Sequence, residues 1–247
     1  MLTEPTIERL RLMHLGAMAD AYLNQAQTPK IGSLGFDERF GMIVDAEHLF
    51  RENRKLARRL KEAKLRVSQA CVEDIDYAPK RDLDKALMRQ LSTCRWIEEH
   101  HNVLITGATG VGKTYVACAI AQQACRKGYR VIYRRLPRLF DELNLARADG
   151  TYSKLLARIA RVDVLVLDDW GIVAIKEPHR QDLLELVEDR DGTRSTIITS
   201  QIPRDKWHDY IGDPTVADAV LDRLVHNAYT IALKGPSRRK ETGHRRQ

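Results

Sequence analysis

Gly107-Ala108-Thr109-Gly110-Val111-Gly112-Lys113-Thr114 lies between a short β-rich run, Val103–Thr106, and a helical pattern, Thr114–Lys127. A loop of this kind can curl its backbone N–H groups around phosphate oxygens, because glycine at the bends keeps side chains out of the way. The helix that follows adds partial positive charge at its N-terminus. The spacing puts the Lys113 ammonium within reach of β- and γ-phosphates and the Thr114 hydroxyl where it can ligate Mg²⁺. ATP and Mg²⁺ are therefore the expected cofactors, held by Gly107, Ala108, Thr109, Gly110, Val111, Gly112, Lys113 and Thr114.

Outward from this loop, strand-like and helical runs alternate. Val131–Arg134, Val164–Leu167, Thr196–Thr199 and Thr230–Leu233 read as strands. Arg138–Arg147, His179–Asp189 and Val216–Asn227 read as helices between or after them. Five apolar strands separated by helices predict an α/β fold with a parallel sheet covered on both faces. The apolar run Val164–Leu167 ends in Asp168 and Asp169, at the carboxyl edge where open α/β sheets bind ligands. There Asp168 can hold Mg²⁺ through water, and Asp169 can orient or deprotonate an attacking water. A turn or helix cap would use the same two residues. The strand Thr196–Thr199 is followed by Gln201, the preferred candidate for a polar group near a γ-phosphate, with Ser200 as its substitute. Arg223, on the last core helix, is either a solvated face residue or a finger supplied to the ATP of a neighbouring subunit.

The first third of the chain reads differently. Pro5 fits the first turn of a helix carrying Ile7, Leu10, Ala17, Met18 and Ala21 on one side. A second helix is expected over 36–68, with Leu49, Leu56, Leu60, Ala63 and Val67 as its apolar stripe. Over 51–66 that helix is strongly basic: Arg51, Arg54, Lys55, Arg58, Arg59, Lys61, Lys64 and Arg66 stand against only Glu52 and Glu62. Such a run is a solvated face or a surface for nucleic-acid phosphates. Its recurrence in the tail, at Arg238, Arg239, Lys240, Arg245 and Arg246, favours phosphates, without base reading. The expected organisation is a helical domain over 1–72, a linker over 73–92, an ATPase core over 93–235 and a basic tail over 236–247.

Bulk properties suit equally a basic enzyme with a polyanionic partner and one that is merely soluble and basic: net charge is +7 and the pI about 9.3. The four cysteines form no C-x-x-C pair, so neither disulfides nor a zinc site is expected. The histidines share no ligand-like spacing, and Trp96, Trp170 and Trp207 read as packing residues. With an N-terminus unlike a signal peptide and no long apolar run, the expectation is a cytoplasmic protein with no membrane partner.

The loop Gly107–Thr114 with its helix, LVLDDWG at 165–171, TIITSQIP at 196–203 and VLDRLVHNAYTIALKGPSRR at 220–239 together resemble the AAA+ ATPases of the IstB/DnaC type. Within these the chain is most similar to the ATP-binding helper proteins of insertion sequences. LRLMHLGAMADAY at 10–22 and FRENRKLARRLKEAKL at 50–65 look like their helical N-terminal domain. The resemblance implies strand order 5-1-4-3-2 and ATP-dependent assembly of a homo-oligomer on double-stranded DNA. It also implies delivery of that DNA to a transposase. Lys113 and Thr114 would be Walker A, Asp168 and Asp169 Walker B, Gln201 sensor 1 and Arg223 the arginine finger. Arg239 falls at the arginine of a G-x-S-x-R pattern. Two departures stand out: many AAA+ ATPases have Glu where Asp169 stands, and only a short tail follows the last strand, where others carry a helical lid. The runner-up is a replicative helicase loader, whose N-terminal domain would grip a helicase. A small-molecule kinase fits less well, since it needs a substrate lid and leaves the basic helix unexplained.

Overall fold

The computed structural model describes residues 3–29 and 31–237. The basic tail residues Arg238, Arg239, Lys240, Arg245 and Arg246 lie outside this range. Two compact units divide at Arg58 and Arg59.

The first unit holds helices α1 (Thr3–Leu12) and α2 (Gly16–Gln27) and the first part of α3 (Phe36–Ala63). The single helix expected around Leu10–Ala21 is thus two. His14 takes φ 58°, and the N–H groups of His14 and Leu15 donate to the carbonyls of Arg11 and Leu10. This pairing closes a helix C-terminus with one left-handed residue and satisfies carbonyls that would otherwise be orphaned. The apolar stripe of α3 also differs from expectation. Leu49 is 61% exposed, while Ile43 and, unusually, Glu47 are buried. Glu47 is accommodated because Oε2 accepts from the Met18 N–H and Oε1 from Arg51 Nε, which meets the requirement that a buried charge be paired.

The second unit starts inside α3, earlier than residue 72. The reason is packing: Ala63, Leu65, Ala70 and Ile75 are all buried. The stretch expected as a linker is built into the same unit through α4 (Lys85–Ser92), whose Met88 and Leu91 are buried, and the short α5 (Arg95–Glu98). Arg81, also buried, donates to the carbonyl of Val111 in the glycine-rich loop at 2.9 Å.

Five strands follow in the expected alternation: β1 (Asn102–Gly107), β2 (Val131–Arg135), β3 (Val164–Trp170), β4 (Ser195–Ser200) and β5 (Ala228–Leu233). All pairings are parallel, in the order β2-β3-β4-β1-β5, which is the implied order read from its other end. Every residue of β4 and nearly every residue of β3 is buried. Successive strand residues point to opposite faces, so both faces are covered. The edge strand β5 buries only Ile231 and Leu233. The covering helices are α6 (Lys113–Arg126), α7 (Leu136–Ala148), α8 (Tyr152–Ala160), α9 (His179–Glu188), α10 (Trp207–Ile211) and α11 (Pro214–Val225). Neither α8 nor α10 was expected from the residue pattern. Trp170, Trp207 and Tyr210 pack ring against ring beneath the end of β3. The three tryptophans are buried, in keeping with their reading as packing residues.

The sheet's architecture makes Gly107 intolerant of change. Its φ is +148°, and a Cβ there would overlap the backbone carbonyl of Leu233 at the end of β5. The overlapping atom is backbone, not the end of a flexible side chain, so the strain cannot relax locally. Gly107→Ala is expected to lose ~1–3 kcal/mol of stability and to displace the loop; a denaturant melt of the variant beside the parent protein measures it.

Candidate active site

The parallel sheet brings the ends of β1, β3 and β4 together at its carboxyl edge, with β4 in the middle. There a cavity of about 430 Å³ is lined by the glycine-rich loop, Thr114, Asp168, Asp169, Thr199 and Gln201. A larger hollow of about 820 Å³ lies elsewhere, among α7, α8 and Arg130. It holds none of the expected chemical groups.

Gly107, Gly110 and Gly112 all adopt positive φ, which lets the loop turn sharply into α6. Lys113 is buried, and its ammonium donates to the carbonyls of Gly107 and Ala108 at 2.8 and 2.9 Å. The Thr114 hydroxyl donates to Asp168, 3.0 Å from Oδ1 and 3.1 Å from Oδ2. Thr109 Oγ1 donates to Gln201 Oε1 at 2.6 Å, so Gln201 is tied to the loop from the end of β4. Ser200, the substitute, faces elsewhere: it is buried and its hydroxyl serves the carbonyls of Trp170 and Ile202.

Asp168 has no exposed surface. Besides Thr114, the hydroxyls of Tyr133 and Thr199 donate to it, and Arg66 Nη1 stands 3.5 Å from Oδ2. Burial first, and then the hydrogen bond to Asp168, push the Tyr133 phenol well above its ordinary pKa. It therefore stays a neutral donor. Asp169 sits where β3 shifts register against β4, between Leu167 and Trp170, with φ 65°. Its N–H donates to Thr199 Oγ1 at 3.3 Å. Its Oδ2 accepts from Arg135 Nε at 2.5 Å and lies 3.5 Å from Arg66 Nη1.

Tyr133, Thr199, Arg135 and Arg66 were not candidates for this site. Residue spacing carried no signal for the first three, which come from neighbouring strands. Arg66 did stand out, but as part of the basic run; its guanidinium turns instead to the two acids. The rest of that run lies along α3, except Lys64 just past its end. Arg51 pairs with Glu47 and Lys55 with Glu52. Arg54, Arg58 and Lys61 are exposed and Arg59 half-buried.

Arg223 is remote from the cavity. Its Nη1 donates to the Ala219 carbonyl and Nη2 pairs with Glu188 at 3.0 Å. Asn102, the first residue of β1, donates from Nδ2 to the carbonyls of Arg223 and Leu224. Arg223 thus stands at the amino edge of the sheet. The six residues of β1 separate it from the glycine-rich loop, roughly 20 Å at strand rise.

The pieces fit a nucleotide triphosphate with a hard divalent cation. Thr114 and Asp168 supply oxygen donors of the kind Mg²⁺ prefers. The guanidinium of Arg66 beside both acids shows that positive charge is accommodated at that point.

Comparisons with known proteins agree on ATP binding. The family model described as IstB-like ATP binding protein matches residues 6–246. An insertion sequence ATP-binding protein of Sinorhizobium fredii (strain NBRC 101917 / NGR234) is 48% identical over 240 residues, 97% of this chain and 98% of that protein. The insertion sequence IS1162 ATP-binding protein of Pseudomonas fluorescens is also 48% identical, over 82% of this chain and 88% of its own length. Among solved structures, DnaI superimposes with a TM-score of 0.58 at 23% identity, over 67% of this chain and 92% of its own. That likeness is one of fold. The chain belongs to the IstB-like ATP-binding protein family, and its core is that of an AAA+ ATPase.

Proposed function

We propose that this ATPase assembles as a homo-oligomer on double-stranded DNA when it binds Mg·ATP, and presents that DNA to a transposase. The observation that carries the reading is the near end-to-end similarity to proteins named for insertion sequences, joined to a basic face on α3. Gly107 to Lys113 would wrap and neutralise the phosphates, with Lys113 leaving the loop carbonyls for phosphate oxygens. Thr114 and Asp168 would hold Mg²⁺, which supplies charge compensation on the β- and γ-phosphates. Asp169 would orient the attacking water and Gln201 would touch the γ-phosphate from the loop side. Arg51, Arg54, Lys55, Arg58, Arg59 and Lys61 would meet DNA phosphates without reading bases. The distance of Arg223 from its own loop supports a role in trans, at a neighbour's ATP.

The nucleotide assignment is checked by Lys113→Ala. Loss of the ammonium should abolish tight ATP binding while leaving the fold intact, and equilibrium titration with a fluorescent ATP analogue reads the difference. Unchanged affinity would overturn the assignment.

Neutralising Arg54, Arg58 and Lys61 together should weaken binding to unrelated duplexes alike. For every DNA phosphate that is no longer neutralised, the magnitude of the log–log salt slope should fall by roughly 0.9. An unaltered slope would place the DNA-binding face on another surface.

The trans role of Arg223 is decided by mixing. Arg223→Ala should keep near-normal ATP affinity but lose hydrolysis; fingers in other P-loop enzymes contribute on the order of 10³–10⁵ in rate. Mixed with Lys113→Ala, it should regain activity, because some interfaces then join an intact loop to an intact finger. Co-assembled mixtures that stay inactive would make Arg223 structural, serving only Glu188.

A further inference from the structure

Asp168 has a full set of donors. An ionised carboxylate offers about four lone-pair sites. Thr114, Thr199, Tyr133 and Arg66 all point hydrogens at it, Thr114 within reach of both oxygens. Any further partner must displace one of these. The Thr114, Thr199 and Tyr133 hydrogen bonds are all shorter than that of Arg66, whose 3.5 Å is the longest of the set. The hydroxyl donors belong to α6, β4 and β2, elements packed into the sheet. Arg66 lies in the segment after α3, and its side chain is 39% exposed.

We propose that Arg66 and the divalent cation are alternative partners of the Asp168–Asp169 pair, and that Arg66 yields when Mg·ATP binds. The proposal rests on the reading that Thr114 and Asp168 hold the metal. Its physical basis is charge. Two adjacent carboxylates, one fully buried, are held against Arg66 and Arg135, and burying such a pair unneutralised is strongly unfavourable. A dication with its water shell at Asp168 would meet a guanidinium beside the same oxygen, and like charges there repel. Arg135 touches only Asp169 among the two acids, at 2.5 Å, so it can keep its partner throughout. Arg66 is then a positioning residue. It holds the two acids in place for the metal, and its exchange sets how much Mg²⁺ is needed.

Mg²⁺ titrations of the full-length protein with a fluorescent ATP analogue test this, and parallel titrations in EDTA supply the metal-free affinity. Removing a cation from beside a triphosphate site ordinarily weakens binding. Competition predicts the opposite sign: Arg66→Gln should reach half-maximal tight binding at a Mg²⁺ concentration roughly three- to tenfold lower. Arg66→Lys should lie nearer the parent protein. A second readout guards against a merely unstable variant. Arg66→Gln should lower the melting temperature without nucleotide and recover most of the loss with Mg·ATP analogue. A higher Mg²⁺ requirement, equal weakening with and without metal, or a melting deficit that persists with nucleotide would each overturn the proposal. Asp168→Asn separates the two levels. If it leaves the Mg²⁺ requirement unchanged, the metal assignment itself fails; if it raises the requirement while Arg66→Gln does too, only the exchange fails.

Discussion

A single buried carboxylate organises the catalytic edge of this protein. Asp168 carries a charge with no exposed surface at the end of β3, a state that is tolerable only if its lone pairs are met by donors. Those donors come from β2 through Tyr133, β4 through Thr199, α6 through Thr114, and the segment after α3 through Arg66. Each hydrogen bond pins one element at the carboxyl edge of the sheet. The glycine-rich loop therefore enters α6 beside β3 for reasons of electrostatics as well as topology, and the cavity between them follows.

The loop, all five strands and Asp168 were legible in residue order because their signals are local: glycines at bends, short apolar runs, acids ending a strand. Sheet order came through the resemblance and holds. Of the helices that cover the sheet, α8 and α10 were missed. α10 is five residues long, too short for its periodicity to register. α8 is nine residues long and strongly two-faced, but it follows α7 after only Asp149, Gly150 and Thr151, so no long break announced it. The break at His14 went unseen because a left-handed histidine closes α1 where glycine would be the usual sign. Arg66, Arg135 and Tyr133 were invisible as site residues, since the sequence separations involved, from 34 to 102 residues, are bridged by the tertiary fold and leave no local pattern.

The compact units divide at Arg58 and Arg59, where residue composition shows no break. Charge marks the run 51–66 as one basic surface, yet the last residues of α3 and the stretch beyond are anchored by apolar side chains in the second unit. Surface charge and core membership are read from different faces of one helix, so composition cannot locate the boundary. The same helix runs into the segment that carries Arg66. Whatever the basic residues bind, the chain leads from them to the two acids within a few residues of the helix end.

The aspartate at position 169, where related ATPases often have glutamate, also has a structural rationale. Its φ of 65° coincides with the register shift between β3 and β4. Non-glycine residues rarely adopt this conformation, and aspartate and asparagine do so several-fold more readily than most. A glutamate here would face the greater backbone penalty without the short side chain that can offset it. The left-handed turn in exchange brings Oδ2 against Arg135 at 2.5 Å and lets the residue's own N–H reach Thr199, the same threonine whose hydroxyl serves Asp168. Backbone geometry and side-chain length at 169 are thus matched to each other, and the shorter acid follows from the shape of the strand end.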